Sequence, residues 1–518
     1  MEVRTERRSS RPRDDGRVGQ PERRTSSHRL VVVSNRLPFV LSVQEDGRFS
    51  LVPGAGGLIS ALAPVLRNRG GVWIGWPGSS ANGVPDLDHV LAAATRDSGY
   101  SLRPVHLTEQ EREQFYQGFS NEIIWPLFHD LQSHCHFDPN YWRAYREVNR
   151  KFAAAIHANR REDDFIWVHD YHLMNVAQEL RRGGLCSRIA FFLHIPFPPL
   201  DIFVKIPWRF QLLIALLDYD LIGFQTLRDR RNFVQCARLL DPDLVIGGKG
   251  QVVTLKIRGR EVRLGAFPIG VDYAAFSQKA ASPEVTAKAE QLHRDLPQRQ
   301  IILGVDRLDY TKGIPNRLEA FRSALLRYPD LHLRVTLVQV VVPSREDIPG
   351  YHDLKMEIER LVGEINGQFT QSGWVPIHYI FRSLSRLELL AYYRASSIAL
   401  VTPLKDGMNL VAKEFCAADV AERGILVLSE FAGAAAQLQK GALIVNPYDI
   451  EEVADAIHQA FVMTAEERRG RMRKMRRAVR DHDIFWWVDS FLRAAIAKDL
   501  SDFPMPEEYI PHMETILL

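Results

Sequence analysis

At 518 residues the chain is too long for one ordinary hydrophobic core, so two domains are expected. Its 46% apolar and 25% charged residues are those of a soluble globular protein, and no apolar run approaches the roughly 18–20 residues that a membrane span needs. The formal net charge of +3 does not indicate a basic body: eight arginines against five acids in residues 1–28 already supply it, leaving Arg29 to Leu518 near neutrality.

Residues 1–28 are rich in Arg, Ser and Pro and nearly free of large apolar side chains, the composition of a disordered tail. They lack the apolar centre of a secretory signal, and their acids argue against a mitochondrial presequence. No aromatics alternate with the arginines to stack on bases, so no nucleic-acid partner is expected. Cys135, Cys186, Cys236 and Cys416 are scattered without C-x-x-C spacing. They read as reduced thiols of a cytoplasmic protein rather than a disulfide framework or a zinc site.

From Arg29 onward, strand-like and helix-like runs alternate. Leu30–Ser34, Val72–Trp76, Phe165–Val168, Ile189–Leu193 and Leu221–Phe224 are the strand candidates of the first half. Ile301–Val305, Val335–Val342, Ile377–Ile380, Ile398–Val401, Ile425–Leu428 and Ala442–Val445 are those of the second. Most are continuously apolar, the mark of strands buried on both faces of a parallel sheet. The pattern predicts an α/β protein with two doubly wound Rossmann-like domains, 29–268 and 269–480, joined near Phe267–Asp272 where Pro and Gly interrupt the rhythm. The closing segment 481–518, with Phe485-Trp-Trp-Val488, is expected to hold a helix that packs back on the first domain.

Ligands of parallel sheets bind outside the carboxyl ends of the strands. Polar residues collect at those ends: Ser34-Asn35-Arg36, His169-Asp170, His194, Gln225, Asp306-Arg307, Arg345 and Lys405-Asp406. A cleft between the two domains is therefore the expected site. Lys405-Asp406-Gly407-Met408-Asn409-Leu410-Val411-Ala412-Lys413-Glu414 passes from a strand through a turn into a helix. Unpaired N–H groups at such a helix start attract an anion or a sugar hydroxyl, and Glu414, one turn in, suits two hydroxyls of a sugar. Arg307 and Lys312, just past another strand, form a pair able to clamp a diphosphate and offset charge as it departs. A surface ion pair with Asp306 or Asp309 is the competing reading. Gly54-Ala-Gly56-Gly57 is a glycine loop at a helix start; with Ile59 in place of a third glycine it does not support a nicotinamide dinucleotide site. Arg36, Tyr116, Asp170 and Arg345 suit a phosphorylated sugar, whereas His194, a lone histidine at a strand end, reads more readily as core and Trp125 equally well as core. D-x-D spacing occurs at Asp86/Asp88, Asp218/Asp220 and Asp241/Asp243, but none follows a buried strand. No metal is expected, the Arg307/Lys312 pair taking its place.

Taken in order, Val33-Ser-Asn-Arg-Leu-Pro38, Tyr116-Gln-Gly-Phe-Ser-Asn121, Trp125-Pro126, Trp167-Val-His-Asp-Tyr-His172 and Phe192-Leu-His-Ile-Pro-Phe-Pro198 form a series. Val305-Asp-Arg-Leu-Asp-Tyr-Thr-Lys-Gly313, Asp406–Glu414 and Leu428-Ser-Glu-Phe-Ala-Gly433 complete it. The set resembles the trehalose-6-phosphate synthase family of retaining glycosyltransferases, from about Arg29 to Ala497. The resemblance implies the GT-B fold and transfer of glucose from a nucleotide-glucose, UDP-glucose foremost, to glucose 6-phosphate. It implies that Arg36, Tyr116, Asp170 and Arg345 hold the acceptor, with Trp125 shaping its side. Gly56, Gly57, Arg307, Lys312, Asp406, Gly407, Asn409 and Leu410 through Glu414 are implied on the nucleotide-sugar side, and His194 and Asp406 against the transferred glucose. Leu384 falls where a nucleotide contact is expected, although Phe381-Arg-Ser-Leu384 departs from the family pattern. The catalytic candidates are Arg307, Lys312, His194 and Asp406; no cofactor is implied, and a homo-oligomer is left open.

Three other readings remain. A glucosylglycerol-phosphate synthase, using glycerol 3-phosphate, would depart at Ser34-Asn35-Arg36. A pseudo-glycosyltransferase joining cyclitols is disfavoured by the intact Asp406–Glu414 and Arg307/Lys312 motifs. A catalytically silent sugar-phosphate sensor would be expected to lose motif residues or to carry a phosphatase domain, for which the residues after Ala497 are too few.

Overall fold

The computed structural model describes residues 29–43, 49–54, 57–78, 87–257, 259–344, 349–500 and 502–511. Residues 1–28, Gly56, Asp86 and Arg345 lie outside the described residues, so the tail and three of the positions discussed above do too.

Each continuous apolar run becomes a buried strand. The first sheet has nine strands, in the spatial order Ser101–Pro104, Val72–Trp76, Leu30–Arg36, Phe165–His169, Ile189–Phe192, Leu221–Phe224, Arg260–Ala266, Val252–Ile257 and Val245–Gly247. It is parallel up to Arg260–Ala266, and the last two strands are antiparallel. The second sheet has six strands, all parallel: Ile377–Phe381, Val335–Val342, Gln300–Arg307, Ile398–Val401, Ile425–Ser429 and Leu443–Val445. Its first-formed strand lies in the middle and the order runs outward in both directions, the doubly wound arrangement. Two such sheets, with helices on their faces, make the GT-B architecture.

The strands that the apolar runs do not announce are the amphipathic ones. Val252–Ile257 and Arg260–Ala266 carry Lys256, Arg260, Glu261 and Arg263 and pair at the sheet margin, where one face is wet. Phe39–Val43 and Phe49–Pro53 form a separate two-stranded ribbon.

In each sheet the chain reverses direction of growth beside its first strand. In the first sheet this lies between Leu30–Arg36 and Phe165–His169; in the second, between Gln300–Arg307 and Ile398–Val401. Crossover loops splay apart at such a point, and a crevice opens outside the carboxyl ends. Arg36 and Asp170 end the strands at one crevice, and Arg307 and Asp406 follow those at the other.

Two crossings of the chain between the halves lie side by side, and the segment 507–509 bridges the halves again, Glu508 pairing with Arg231 and Glu507 with Lys440. Outbound, Phe267 extends the first sheet through its N–H to Phe224 O at 2.7 Å, and the chain enters the second half at Asp272. Inbound, helix Ala465–Asp481 of the second half gives way at His482-Asp483 to helix Ile484–Ile496, which caps the first sheet. Trp487 and Phe491 lie 5.0 and 4.4 Å, centroid to centroid, from Trp167 in that sheet's core. The Trp487 indole donates to Phe267 O at 3.2 Å, and Ile484 N–H to Val271 O at 3.1 Å. Gly270 has no room for a side chain: an added Cβ would stand 2.4 Å from His482 O and 2.5 Å from Asp483 C. Because both neighbours are backbone, a Gly270→Ala protein should be less stable by about 1–3 kcal/mol, the usual penalty of overpacking, measured by denaturant unfolding beside the parent.

Candidate active site

Asp406 organises the second half of the cleft. It follows strand Ile398–Val401, and its Oδ2 accepts from Lys312 Nζ at 2.5 Å and from Asn409 Nδ2 at 3.2 Å. Its Oδ1 accepts the backbone N–H groups of Met408 and Asn409 at 3.1 and 3.2 Å. Burial works against this charge, but Lys312 and the N–H groups outweigh it and hold the carboxyl below its usual range. The turn so formed sets Asn409 at φ +60°, where its side chain caps the helix Leu410–Ala418 through Ala412 N–H at 3.1 Å. Leu410 and Val411 N–H have no such acceptor among the described residues, so the helix start presents two donors and its dipole to the cleft. One turn on, Glu414 accepts the Tyr393 hydroxyl at 2.9 Å, and burial pushes its carboxyl up to about 7.

Gly407 is required by close approach. A Cβ there would meet His194 O at 2.5 Å, so the turn lies directly on the main chain that follows strand Ile189–Phe192 of the first sheet. Leu384, in the turn after Ile377–Phe381, packs half-buried against the same apolar cluster as Leu410 and Val411.

The cations divide their partners in a way that the linear sequence does not state. The buried Asp306 pairs with Arg317, whose Nε also donates to Thr402 Oγ1 at 3.1 Å. Asp309 accepts the Thr311 N–H and hydroxyl at 3.0 and 2.8 Å. Neither acid takes up Arg307. Its exposed guanidinium stands 5.9 Å from the Trp125 ring centroid and has no hydrogen-bonded or ionic partner among the described residues. The surface ion pair that competed with a phosphate clamp is therefore absent for Arg307 among those residues, while Lys312 pairs with Asp406 instead.

Facing these groups is a long wide-wound stretch, the π-helix Arg112–Ile124, which runs straight into Trp125–Phe128. Insertion of extra residues per turn re-aims side chains, and such stretches concentrate at functional sites. Here it sets Tyr116 against Arg36, whose guanidinium lies 4.0 Å from the Trp76 ring centroid and 5.5 Å from that of Tyr116. Ser34 braces the strand end by donating to Arg36 O at 2.7 Å while accepting from Trp73 Nε1. Asp170 adopts φ +74°, uncommon for a residue with a side chain. Its Oδ1 accepts Tyr171 N–H at 3.0 Å and His194 N–H at 3.3 Å. Arg36, Tyr116 and Asp170 thus gather at the crevice of the first sheet. Gly57 opens helix Gly57–Arg69.

The two sides touch. Trp125 Nε1 donates to Asp309 Oδ1 at 3.4 Å, His134 stacks on Tyr310 at 4.8 Å, and Lys405 pairs with Asp130.

Two candidates present different atoms from those expected. The His194 imidazole is buried, with both nitrogens engaged inside the first domain. Gln225 Oε1 must accept the Ile269 N–H, at 2.9 Å, so its amide nitrogen donates to His194 Nδ1 at 3.4 Å. The remaining Nε2–H then points to His169 Nδ1 at 3.2 Å, and burial pushes His194 down to about 3. What His194 brings to the Asp406–Gly407 turn is its main chain. Lys413 is also buried, and its Nζ donates to Ile269 O and Gln437 Oε1 rather than toward the cleft.

Sequence reasoning misses Arg317, Tyr393 and His129. The His129 ring lies tilted against Trp125, centroids 4.3 Å apart, and bonds to Trp125 O through Nδ1 at 2.7 Å, while burial pushes its imidazole down to about 4. Its position four residues after Trp125 places both on one helical face, the one signal available. Among the described residues no group of three or more His, Cys, Asp or Glu side chains is placed to hold a metal. Asp218 and Asp220 of one D-x-D sequence pair with Arg260 and Arg181. The four cysteines are free thiols, and no described helix is long and apolar enough to cross a membrane.

Residues 28–497 match the model of glycosyltransferase family 20. The chain is 43% identical over 471 residues to the trehalose-6-phosphate synthase of Mycobacterium tuberculosis, covering 90% of this chain and 94% of that protein. Among solved structures it is similar to an α,α-trehalose-phosphate synthase (UDP-forming) from Burkholderia xenovorans in complex with glucose 6-phosphate. The TM-score is 0.81 at 37% identity, over 90% of this chain and 99% of that one. It is also similar to the trehalose-6-phosphate protein from E. coli bound with UDP-2-fluoro glucose, with a TM-score of 0.80 at 38% identity over 90% and 98% of the two chains. With one family model spanning both sheets and the cleft between them, the chain belongs to glycosyltransferase family 20 and is a glycosyl-transferring enzyme.

Proposed function

We propose that the protein transfers glucose from UDP-glucose to glucose 6-phosphate with retention of configuration, giving α,α-trehalose 6-phosphate and UDP. The observation that carries this reading is a convergence on one cleft. The Arg307 guanidinium, unpaired among the described residues, meets there the Lys312–Asp406 pair and the open N–H groups of Leu410 and Val411. Together they form a site for a diphosphate. The relatives that bind glucose 6-phosphate and UDP-2-fluoro glucose by name support the same pair of substrates.

In this reading Arg307, Lys312 and the helix start hold the diphosphate, with Gly56 and Gly57 approaching it from the first domain. Glu414 takes the ribose hydroxyls, and Leu384 borders the base. Asp406, Gly407, Asn409 and the His194 main chain border the transferred glucose. Arg36, Tyr116, Asp170 and Arg345 hold glucose 6-phosphate, and Trp125 separates the acceptor side from Arg307. Double displacement needs a free nucleophilic carboxylate with a second carboxyl as acid/base. Asp406 is engaged by Lys312, and Asp170 faces the acceptor, so no such pair is offered among the described residues. The acceptor hydroxyl therefore attacks on the face from which UDP departs, and the leaving phosphate oxygen takes its proton. Catalysis then rests on orientation and on Arg307 and Lys312 offsetting the charge that builds on the diphosphate. These two cations fill the place of a metal in our reading. The free thiols suit a reducing compartment, the cytoplasm.

The direct test is product mass and nucleotide release with UDP-glucose and EDTA, offering glucose 6-phosphate and glycerol 3-phosphate separately. A phosphorylated disaccharide from glucose 6-phosphate alone is expected; product only with glycerol 3-phosphate would transfer the assignment, and binding without turnover would leave a sensor.

Arg307→Ala should lower kcat by about 10²–10³, the scale for removing one charge-stabilising donor; a near-normal rate would remove Arg307 from the diphosphate site. Glu414, with its carboxyl raised to about 7, is neutral below that pH and has one acceptor fewer for a ribose hydroxyl. The KM for UDP-glucose should therefore rise as pH falls through about 7. In Glu414→Gln it should be high and flat with pH, as a steady-state pH series would read.

A further inference from the structure

Lys413 is a buried cation that the transfer reaction does not use. It is 2% exposed, and its Nζ donates to Ile269 O at 2.5 Å and to Gln437 Oε1. Neither acceptor is a carboxylate. An ammonium buried against neutral acceptors is costly, and burial indeed lowers this one to about 7. An apolar side chain of similar length would fill the same space without that penalty. The position of its acceptor supplies a reason for the lysine.

Ile269 lies at the middle of the outbound crossing. Its N–H donates to Gln225 Oε1 of the first domain at 2.9 Å, and its carbonyl accepts from Lys413 of the second. The residue is thus gripped on one side by each domain. Next to it, Gly270 lies on the inbound crossing at His482-Asp483, so movement at Ile269 bears on both connections. On the first-domain side the grip continues from Gln225 to His194 and His169 beneath the cleft. On the other side Lys413 belongs to the helix Leu410–Ala418, whose first turn faces the cleft.

We propose that Lys413 is a positioning residue that couples occupancy of the Leu410–Ala418 helix start by a nucleoside diphosphate to the interdomain joint at Ile269. The inference rests on the donor site proposed above. An anion drawn to Leu410 and Val411 N–H pulls on the helix, and Lys413 carries the displacement to the Ile269 carbonyl. The ammonium holds the Ile269 carbonyl by a hydrogen bond, so the linker follows the helix, a tether that an apolar side chain cannot supply.

The test is hydrogen exchange on the full-length protein with UDP as the probe, comparing the parent with Lys413→Met. In the parent, UDP should slow exchange both in the helix 410–418 and in the linker 267–272. In Lys413→Met the helix should still be protected, while UDP-dependent protection of the linker falls about tenfold or more. Turnover should show the same split, kcat falling about tenfold with KM for UDP-glucose changed less than about threefold. Equal linker protection in parent and variant would overturn the coupling. So would an affinity loss in Lys413→Met that grows from uridine to UMP to UDP, which would make Lys413 a phosphate ligand. A parent whose helix is protected by UDP but whose linker is not also overturns it, leaving the donor site intact; absence of protection at both overturns the donor site as well. Should Lys413→Met not fold, Gln437→Met removes one of its two acceptors and should loosen the linker in the same direction, and an unchanged linker there counts against the proposal.

Discussion

The ion pair between Lys312 and Asp406 is the contact on which the cleft depends. It joins the loop after one central strand of the second sheet to the loop after its neighbour across the switch point, beside the backbone bond from Leu404 N–H to Thr311 O at 2.8 Å. Asp406 then uses its other oxygen to fold the turn that frees the helix start. Taking two charges out of water costs several kcal/mol per ion, and only the extra hydrogen bonds to Asp406 make the arrangement tenable. Removing Lys312 would leave the Asp406 charge, mostly out of water, with only the neutral donors of Met408 and Asn409. The neighbouring Asp306–Arg317 pair acts in the same way deeper in the domain, tying strand Gln300–Arg307 to Thr402 and to the main chain of Lys312.

A second constraint is that the cleft has two walls from different domains. The walls meet through polar and aromatic contacts, Trp125 to Asp309, His134 to Tyr310 and Asp130 to Lys405, and through Met408 and Leu410, which pack against the apolar core of the first domain. Polar contacts of that kind are individually weak. The two crossings, by contrast, are packed backbone to backbone at Gly270 and His482.

Much of this was legible in the chain itself. Eleven apolar runs became strands at nearly the positions expected, because a strand buried on both faces has no choice but continuous apolar sequence. Arg36, Asp170, Arg307 and Asp406 were recognisable as strand-end polar groups for the same reason. The amphipathic strands Val252–Ile257 and Arg260–Ala266 were not, since half of each faces water and their charged residues read as a loop. The π-helix before Trp125 was equally silent, and within it Asn121 Nδ2 donates to Tyr116 O at 2.7 Å, a bond that residue propensity does not announce.

Hydrophobic periodicity and strand-to-helix turns are local properties, so the amino-acid order alone specified the doubly wound fold and the residue types brought to its carboxyl ends. Charge pairing is not local, and packing settled it. Asp306 took Arg317 and Asp406 took Lys312, leaving Arg307 without a partner among the described residues. Those choices depend on distances of a few ångströms between loops far apart in the chain. Likewise His194 and Lys413, which the family resemblance placed on the donor side, turn their side chains into the joint beneath the cleft. A helix or strand presents a residue to one side or the other only once its neighbours are packed, and burial then selects the hydrogen-bond partner.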